Sequence, residues 1–320
     1  GPNIQQMDDF IRGLVLPPPG WSIISTDASQ IEFRLMMHYI QDKVAIAAYT
    51  DDPNTDFYLL VAKRVGITRK PAKTLALATG YGEGKKKMIK QLAANDDIVA
   101  AVKAEIDALN ITNEAMRINE FNNRVTKRAE SAYNSFHKMF PTLKSTSKSA
   151  EQTCKLPERR LGTALDADHY YGYITNAYGR DRHLPYYNKY RTDFKTPDPY
   201  DKAWLAFSTL NQATAADLMK ERFVAMCEAI VDLPILPIAI VHDEILTIAP
   251  TEIAEDFRTQ RDIVAILESP AVPISVPIRW SIGTSRNNWL EAKTPTKDGG
   301  PSHVLQYNKK EATNFDFLRG

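Results

Sequence analysis

Two aspartates that close apolar segments are the candidate metal ligands of this sequence. Asp27 ends the segment 21–26, and Asp243 follows a second apolar run much later in the chain. Either residue alone is typical of an ordinary turn. Two carboxylates on neighbouring strands, however, can share two divalent ions that activate an attacking hydroxyl and neutralise a leaving pyrophosphate. Mg²⁺ suits this chemistry, because it binds a few carboxylates together with substrate phosphates.

A second set of residues recurs every four positions between residues 69 and 82. Arg69, Lys73, Leu77 and Tyr81 therefore form one ridge of a predicted helix. Two cations one turn apart can bind a triphosphate, and the apolar and aromatic residues beyond them can stack on bases. The alternative interpretation is a solvated basic face with a core tyrosine.

A third candidate is Gln212, within the segment 211–217. A glutamine can hydrogen-bond the minor-groove acceptors that all base pairs share, which tests pairing without reading sequence. Alanine-rich helices that carry one glutamine are common, so this signal alone decides nothing.

Apolar periodicity and turn residues predict the elements that must position these side chains. Residues 85–140 are expected to be mostly helical, and an irregular region is expected from Pro141 onward. Thr68 is the predicted N-cap of the helix that carries the ridge. Two strands are predicted at 21–26 and 276–282, and two hairpins at 238–248 and around the turn 178–180. Three further helices are predicted: one that starts at Ser29, one at 56–65 and one at 202–230.

Composition places the chain among ordinary globular proteins. Its 320 residues are 43% hydrophobic and 25% charged, with a net charge of +1, which does not exclude nucleic acid because binding depends on where cations cluster. Two cysteines without a CxxC pattern argue against a disulfide framework or a zinc site, and fit a reducing cytoplasm. A membrane span is not expected, because no apolar run of about 18 residues occurs.

The candidate segments, taken in order, resemble the motifs of family A DNA polymerases, the group of bacterial DNA polymerase I and many phage replicases. DASQIEFR from Asp27 to Arg34 resembles motif A, and VHDE ending at Glu244 resembles motif C. Residues 69–82 resemble motif B, and NQATAAD from Asn211 to Asp217 resembles the glutamine-bearing helix. Further matches are Pro2 to Gln6, Gly172 to Thr175 with Gly179 and Arg180, and Asn288 with Trp289.

The resemblance implies a role for each acidic residue of motifs A and C. Asp27 and Asp243 would bind two Mg²⁺ ions, with Glu244 supporting the catalytic site. Ser29 and Gln30 would lie against the substrate. Glu32 would block a ribose 2′-OH.

Motif B and the DNA-contacting positions carry further implied roles. Arg69 and Lys73 would bind the incoming triphosphate, and Lys73 would also supply a proton to pyrophosphate. Leu77 would lie beside the nucleotide, and Tyr81 at the template position. The residues implied to contact primer–template DNA are Gln212, His242 and Arg180.

Several positions depart from the family pattern, and all lie around the nucleotide and the minor groove rather than at the metal ligands. We therefore expect an intact metal centre with an altered nucleotide pocket. The departing residues are Ala28, Tyr58, Leu77, Ala78, Trp204 and Ser208.

The implied fold is α+β: an antiparallel-sheet palm with a mostly helical fingers subdomain, and without thumb or exonuclease domains. The palm is expected in residues 1–42 and 186–292, and the fingers, with an insertion, in 43–185. Residues 293–320 are expected to be a flexible or partner-bound tail.

The expected function is template-directed DNA polymerisation in the cytoplasm, the host's if the source is a phage. The expected partners are primer–template DNA, a dNTP and a second polymerase chain that supplies the thumb or exonuclease. Two alternatives remain open: an enzyme resembling single-subunit RNA polymerases, and a non-catalytic nucleic-acid-binding subunit.

Overall fold

A computed structural model describes residues 7–156, 171–185, 189–190, 197–198 and 202–293. The segment from Pro2 to Gln6 and the tail from residue 294 lie outside these ranges. The described strands are β1 (Trp21–Ala28), β2 (Tyr171–Thr175), β3 (Asp181–Pro185), β4 (Lys189–Tyr190), β5 (Pro197–Asp198), β6 (Leu236–Val241), β7 (Glu244–Pro250) and β8 (Trp280–Ser285).

Helices make up most of the remaining described chain, and none is long and apolar enough to cross a bilayer. The first seven are α1 (Asp9–Gly13), α2 (Ile31–Ile40), α3 (Lys43–Asp51), α4 (Phe57–Val65), α5 (Arg69–Gly80), α6 (Lys85–Ala93) and α7 (Asp96–Ala108). The others are α8 (Glu114–Met139), α9 (Pro141–Cys154), α10 (Ala206–Ala229), α11 (Thr251–Ala254), α12 (Phe257–Leu267) and α13 (Trp289–Lys293).

The chain divides into two compact units. The sheet unit comprises residues 1–34, 49–54 and 214–320, and the helical unit comprises residues 35–48 and 55–213. The predicted α+β class, with an antiparallel sheet and a mostly helical second part, is confirmed.

The sheet unit is built on four antiparallel strands in the order β6-β7-β1-β8. The first strand was predicted to end at Thr26, which is wrong by two residues. β1 continues through Ala28, because it pairs on both sides, with β7 and with β8. Asp27 therefore lies inside the sheet, opposite Glu244 on one side and Ser281 on the other.

The predicted hairpin near the second aspartate is confirmed. β6 and β7 are joined by a turn at His242 and Asp243, and His242 adopts the left-handed backbone conformation with φ +58°. The last predicted strand begins late, at Trp280 instead of residue 276. Pro277 accounts for this difference, because proline has no N–H to donate to a ladder.

Helix α13 packs directly on β8 at a glycine. A Cβ added to Gly283 would lie 2.2 Å from the backbone oxygen of Ala292, so only glycine permits this approach. Trp289, also on α13, is fully buried against Ile23 of β1 and Leu246 of β7. These contacts fix the end of the described chain against the central strands.

Gly283→Ala is therefore expected to lower the free energy of unfolding by about 2 kcal/mol or more, because the methyl group must displace α13. Urea denaturation measures this change. Gly13→Ala is the matched control, since an added Cβ there meets no atom within 4 Å. Equal stability of the two variants would refute the close packing of α13 on β8.

Helix α5 of the helical unit begins where the sequence indicates, directly after its predicted N-cap residue. Thr68 has the extended backbone of an N-cap residue, with φ −77° and ψ 169°. Its side chain makes no capping hydrogen bond and instead donates to Asp97. Thr68 is thus confirmed as the N-cap residue, although its side chain does not cap the helix, and Pro71 lies in the first helical turn, where proline is tolerated.

The helices predicted in 85–140 are confirmed as α6, α7 and α8. The irregular region predicted from Pro141 is wrong over its first part, because Pro141 opens helix α9. Proline is tolerated in the first turn of a helix, where its missing N–H would have no partner within the helix. Phe140, just before α9, is buried and packs 5.0 Å from the ring of Phe136.

Candidate active site

The two candidate metal ligands lie on adjoining parts of the sheet. Asp27 is opposite Glu244 in the β1–β7 register, and Asp243 is the residue just before Glu244. The amide of Ala28 donates to the backbone carbonyl of Asp243 at 2.8 Å. Sheet pairing thus brings together two acids that are far apart in sequence.

Burial and neighbouring charges raise the pKa of the Asp27 carboxyl group. Desolvation is the largest cause, followed by the charge of Asp243, and together they raise the pKa of Asp27 from 3.8 to about 6. Glu244 adds to this rise, and Lys293 opposes it. The Asp27 side chain is still 33% exposed. A carboxylate that is strained by a like charge and open to solvent is a favourable ligand for a divalent cation.

The donor set fits magnesium better than a metal that requires an all-protein cage. Within the described ranges, no group of three or more His, Cys, Asp or Glu side chains is arranged to bind a metal ion. Mg²⁺ uses one or two carboxylates and takes its other ligands from water and substrate phosphates. Asp27 and Asp243 match that requirement.

Glu244 has a different environment from the two aspartates. Its side chain is fully buried, and its Oε1 accepts hydrogen bonds from Ser25 Oγ and Trp289 Nε1, each at 2.6 Å. Its Oε2 accepts from Lys293 Nζ at 2.9 Å. These bonds make Glu244 an anchor between the strands and α13.

Lys293 is a site residue that sequence reasoning missed, because it was assigned to the tail. Its Nζ lies 2.9 Å from Glu244 Oε2 and 3.7 Å from Asp27 Oδ2. Burial opposes the charge of Lys293, yet the hydrogen bond to Glu244 and the two carboxylate charges raise the pKa of the ammonium group. Its spacing of one helical turn from Trp289 was the signal available in the sequence.

Arg34, at the end of motif A, organises the turn after β1. The guanidinium is 1% exposed and lies 4.1 Å from the centre of the Tyr49 ring. It donates to three backbone carbonyls, those of Ser29 at 2.8 Å and of Pro53 and Pro277 at 2.7 Å. Arg34 therefore fixes the carbonyl of Ser29, two residues beyond Asp27.

The remaining motif A candidates lie beside this turn. Gln30 has the left-handed conformation, with φ +54°, and its Oε1 accepts from the hydroxyl of Tyr49 at 3.2 Å. Glu32 is half-buried in the first turn of α2. Both residues are thus on the same short segment as Asp27.

The helical unit presents the ridge of α5 outward. Arg69 and Lys73 are exposed, and Leu77 and Tyr81 are partly exposed. Tyr81 is not buried, which excludes the interpretation of it as a core residue. Arg69 donates to Asp56 at 2.5 Å, so its guanidinium has a carboxylate partner.

The predicted DNA-contacting residues belong to both units. Gln212 is exposed on α10 in the helical unit, and His242 is exposed at the β6–β7 turn in the sheet unit. Arg180 lies at the turn between β2 and β3, where its amide donates to Asn176 Oδ1 at 3.0 Å.

The pKa of Asp27 predicts a pH effect on the metal-free chain. Because the folded pKa lies above the unfolded one, the folded state binds the extra proton, and stability falls as pH rises from about 4 to about 6. Asp27→Asn removes this contribution. Urea denaturation in EDTA should therefore show the wild type losing stability relative to Asp27→Asn over that interval, whereas parallel pH profiles would contradict the assignment.

Comparison with known proteins decides the family. Residues 2–291 match the sequence profile of DNA polymerase family A. The chain belongs to this family. The prediction made from its motifs is thus confirmed.

Three DNA polymerases illustrate the match. The chain is 30% identical over 269 residues to the DNA-directed DNA polymerase of Pseudomonas phage M6, covering 76% of the chain and 36% of the relative. It is 25% identical over 293 residues to DNA polymerase DpoZ of Salmonella phage PMBT28, covering 88% of the chain and 40% of the relative. It is 23% identical over 306 residues to the thermostable DNA polymerase I of Thermus aquaticus, covering 91% of the chain and 30% of the relative. The chain therefore spans well under half of these relatives.

A solved polymerase structure shares the fold. It is the POL domain of Pol1 from M. smegmatis in complex with DNA primer-template and dNTP, with a TM-score of 0.65 and 20% sequence identity. The match covers 92% of the present chain and 45% of that chain.

Proposed function

We propose that this family A chain is a template-directed DNA polymerase that transfers a dNMP to a primer 3′-OH. The observation that best supports this proposal is that Asp27 of β1 and Asp243, the residue just before β7, are brought next to each other by strand pairing. Family membership and the phage and bacterial polymerase relatives support the same reaction.

Asp27 and Asp243 are the proposed ligands of two Mg²⁺ ions. When bound, Mg²⁺ would lower the pKa of the attacking hydroxyl and would neutralise the negative charge of the leaving pyrophosphate. Glu244 keeps the start of β7 fixed through its bonds to Ser25 and Trp289. Those bonds hold the backbone of Asp243, the preceding residue, beside β1.

The exposed cations of α5 are the proposed triphosphate ligands. Lys73 binds the phosphates and protonates the leaving pyrophosphate, and Arg69 exchanges its bond to Asp56 for a phosphate oxygen. Leu77 and Tyr81 provide the surfaces against which the nucleotide and the template base lie. Ser29 and Gln30 of the turn after β1 complete the proposed substrate contacts.

Gln212, His242 and Arg180 are the proposed contacts to primer–template DNA. Gln212 and His242 are exposed, as a reader of the minor groove must be. We further propose that a second polymerase chain works with this one and supplies the thumb or exonuclease.

Primer extension tests the proposed function. The purified chain, with Mg²⁺, dNTPs and a primed template, should extend the primer distributively. A partner that supplies the thumb should increase the number of nucleotides added each time the enzyme binds the primer. Incorporation must follow the template base. Template-independent addition, or no addition with any candidate partner, would overturn the proposal.

An RNA polymerase-like activity is the second candidate, because motif B ends in Tyr81 and Gly82. Glu32, half-buried at the start of α2, weighs against it. A side chain of that length crowds a ribose 2′-OH.

Glu32→Ala is accordingly expected to lower the preference for dNTP over rNTP on the order of 10²-fold, because the excluded hydroxyl then fits. Steady-state kcat/KM values for the two substrates measure this preference. Glu32→Gln is the matched control, since it keeps the size and removes the charge. An unchanged preference in Glu32→Ala would mean that another residue excludes the 2′-OH.

A non-catalytic nucleic-acid-binding subunit is the third candidate. Adjoining aspartates repel one another in the absence of a cation, and the raised pKa of Asp27 reflects that repulsion after burial. A subunit that only binds DNA would gain nothing from this pair. Retention of both acids therefore favours catalysis.

A further inference from the structure

Lys293 places a positive charge at the carboxylates of the candidate active site. Its Nζ is 2.9 Å from Glu244 Oε2 and 3.7 Å from Asp27 Oδ2. The side chain is 30% exposed, while Glu244 is fully buried. One ammonium group therefore pairs with a buried anchor and with a proposed metal ligand.

The position of Lys293 is determined by the fold. Helix α13 is fixed by Trp289, whose Nε1 donates to Glu244, and by the close approach of Ala292 to Gly283. Lys293 follows Trp289 by one helical turn, so the two side chains reach the same carboxylate. A flexible surface lysine would not be restricted in this way.

We propose that Lys293 is a positioning residue that orders Asp27 in the metal-free enzyme and competes with divalent metal for that carboxylate. This inference rests on the proposed metal-binding function of Asp27 and Asp243. Lys293 thereby sets the metal concentration that the enzyme requires.

Two opposite effects follow from removing this charge. Metal binding becomes tighter, by about threefold to tenfold, because the positive charge of Lys293 no longer repels the metal ion from the Asp27 carboxylate. The maximal rate at saturating metal falls, because Asp27 is no longer ordered and Glu244 loses one partner. A residue with only a structural role would weaken both binding and rate.

Mn²⁺ binding to the metal-free enzyme tests the proposal without relying on activity. Isothermal titration calorimetry at pH 8 is carried out on the wild type, Lys293→Met and Lys293→Arg. Lys293→Gln serves as a second neutral variant, and circular dichroism identifies which variants fold. Lys220→Met is the matched control, since Lys220 is exposed on α10 in the same unit.

The proposal expects a neutral, folded Lys293 variant to bind Mn²⁺ threefold to tenfold more tightly and to have a lower kcat for primer extension. Lys293→Arg and Lys220→Met should match the wild type in affinity. Unchanged or weaker binding by the neutral variants overturns the role of Lys293.

Asp243→Asn separates this inference from the proposed function. If the wild type binds Mn²⁺ no better than Asp243→Asn, the metal site itself is wrong. If Asp243→Asn loses binding while neutral Lys293 variants are unchanged, only the role of Lys293 fails.

Discussion

Asp243→Asn is expected to reduce the single-turnover rate of primer extension by at least about 10³-fold, because an amide cannot replace a charged metal ligand. The change preserves side-chain size at the β6–β7 turn. Rapid-quench measurement of one dNMP addition in Mg²⁺ provides the rate. Stability should be unchanged or slightly improved, since the substitution removes repulsion from Asp27.

Asp232→Asn is the matched control for this loss. Asp232 is exposed in the same unit and lies outside the candidate active site. It should retain the wild-type rate. If Asp243→Asn came within tenfold of the wild type, Asp243 would not be a catalytic metal ligand.

Lys73→Ala is expected to lower kcat/KM for the incoming dNTP by about 10²- to 10³-fold, because a charge-assisted bond to the triphosphate is lost. Arg69 is an incomplete substitute, since it must give up its bond to Asp56 before it can bind a phosphate. If Lys73 also protonates pyrophosphate, kcat falls along with the rise in KM. Steady-state kinetics over a range of dNTP concentrations distinguish these contributions.

Lys70→Ala provides the matched control on the same helix. Lys70 is also exposed, but it lies three positions from Lys73, about 60° around the helix, and so outside the four-residue spacing of the ridge. Its removal should change kcat/KM less than about threefold. Equal losses in the two variants would indicate a general effect of positive charge and not a specific phosphate contact.

Local signals in the sequence predicted the elements that carry the site. The apolar run before Asp27 and the alternation around Asp243 correctly predicted a strand and a hairpin, because side-chain alternation follows directly from strand geometry. The four-residue spacing from Arg69 to Tyr81 likewise predicted α5 and its outward face. Family motifs then made the adjacency of the two aspartates expected.

Errors occurred where the deciding partner is distant in sequence or where one residue type permits two structures. β1 extends to Ala28 because two strands from the far end of the chain pair with it. Pro141 was interpreted as the start of an irregular region, although proline suits the first turn of α9. Thr68 is correctly predicted as an N-cap residue, but its side chain bonds to Asp97, nearly thirty residues away, in preference to its own helix.

The second layer of the site was the least predictable part. Lys293 and Arg34 act through contacts with Glu244, Pro277 and other residues that no local pattern links to them. No role was predicted for Arg34 beyond its place at the end of a motif, and Lys293 was predicted to belong to the tail. Tertiary packing fixes both positions, and the one-turn spacing from Trp289 to Lys293 is the part of it that the sequence displays.

A crystal structure of the chain with a primed template, a dideoxy-terminated primer, a dNTP and Mn²⁺ would test the central claim most directly. Anomalous scattering locates Mn²⁺ without ambiguity. We predict density for two ions, with carboxylate oxygens of Asp27 and Asp243 at about 2.1 Å from them. Density at neither aspartate, in crystals that contain the bound dNTP, would contradict the account.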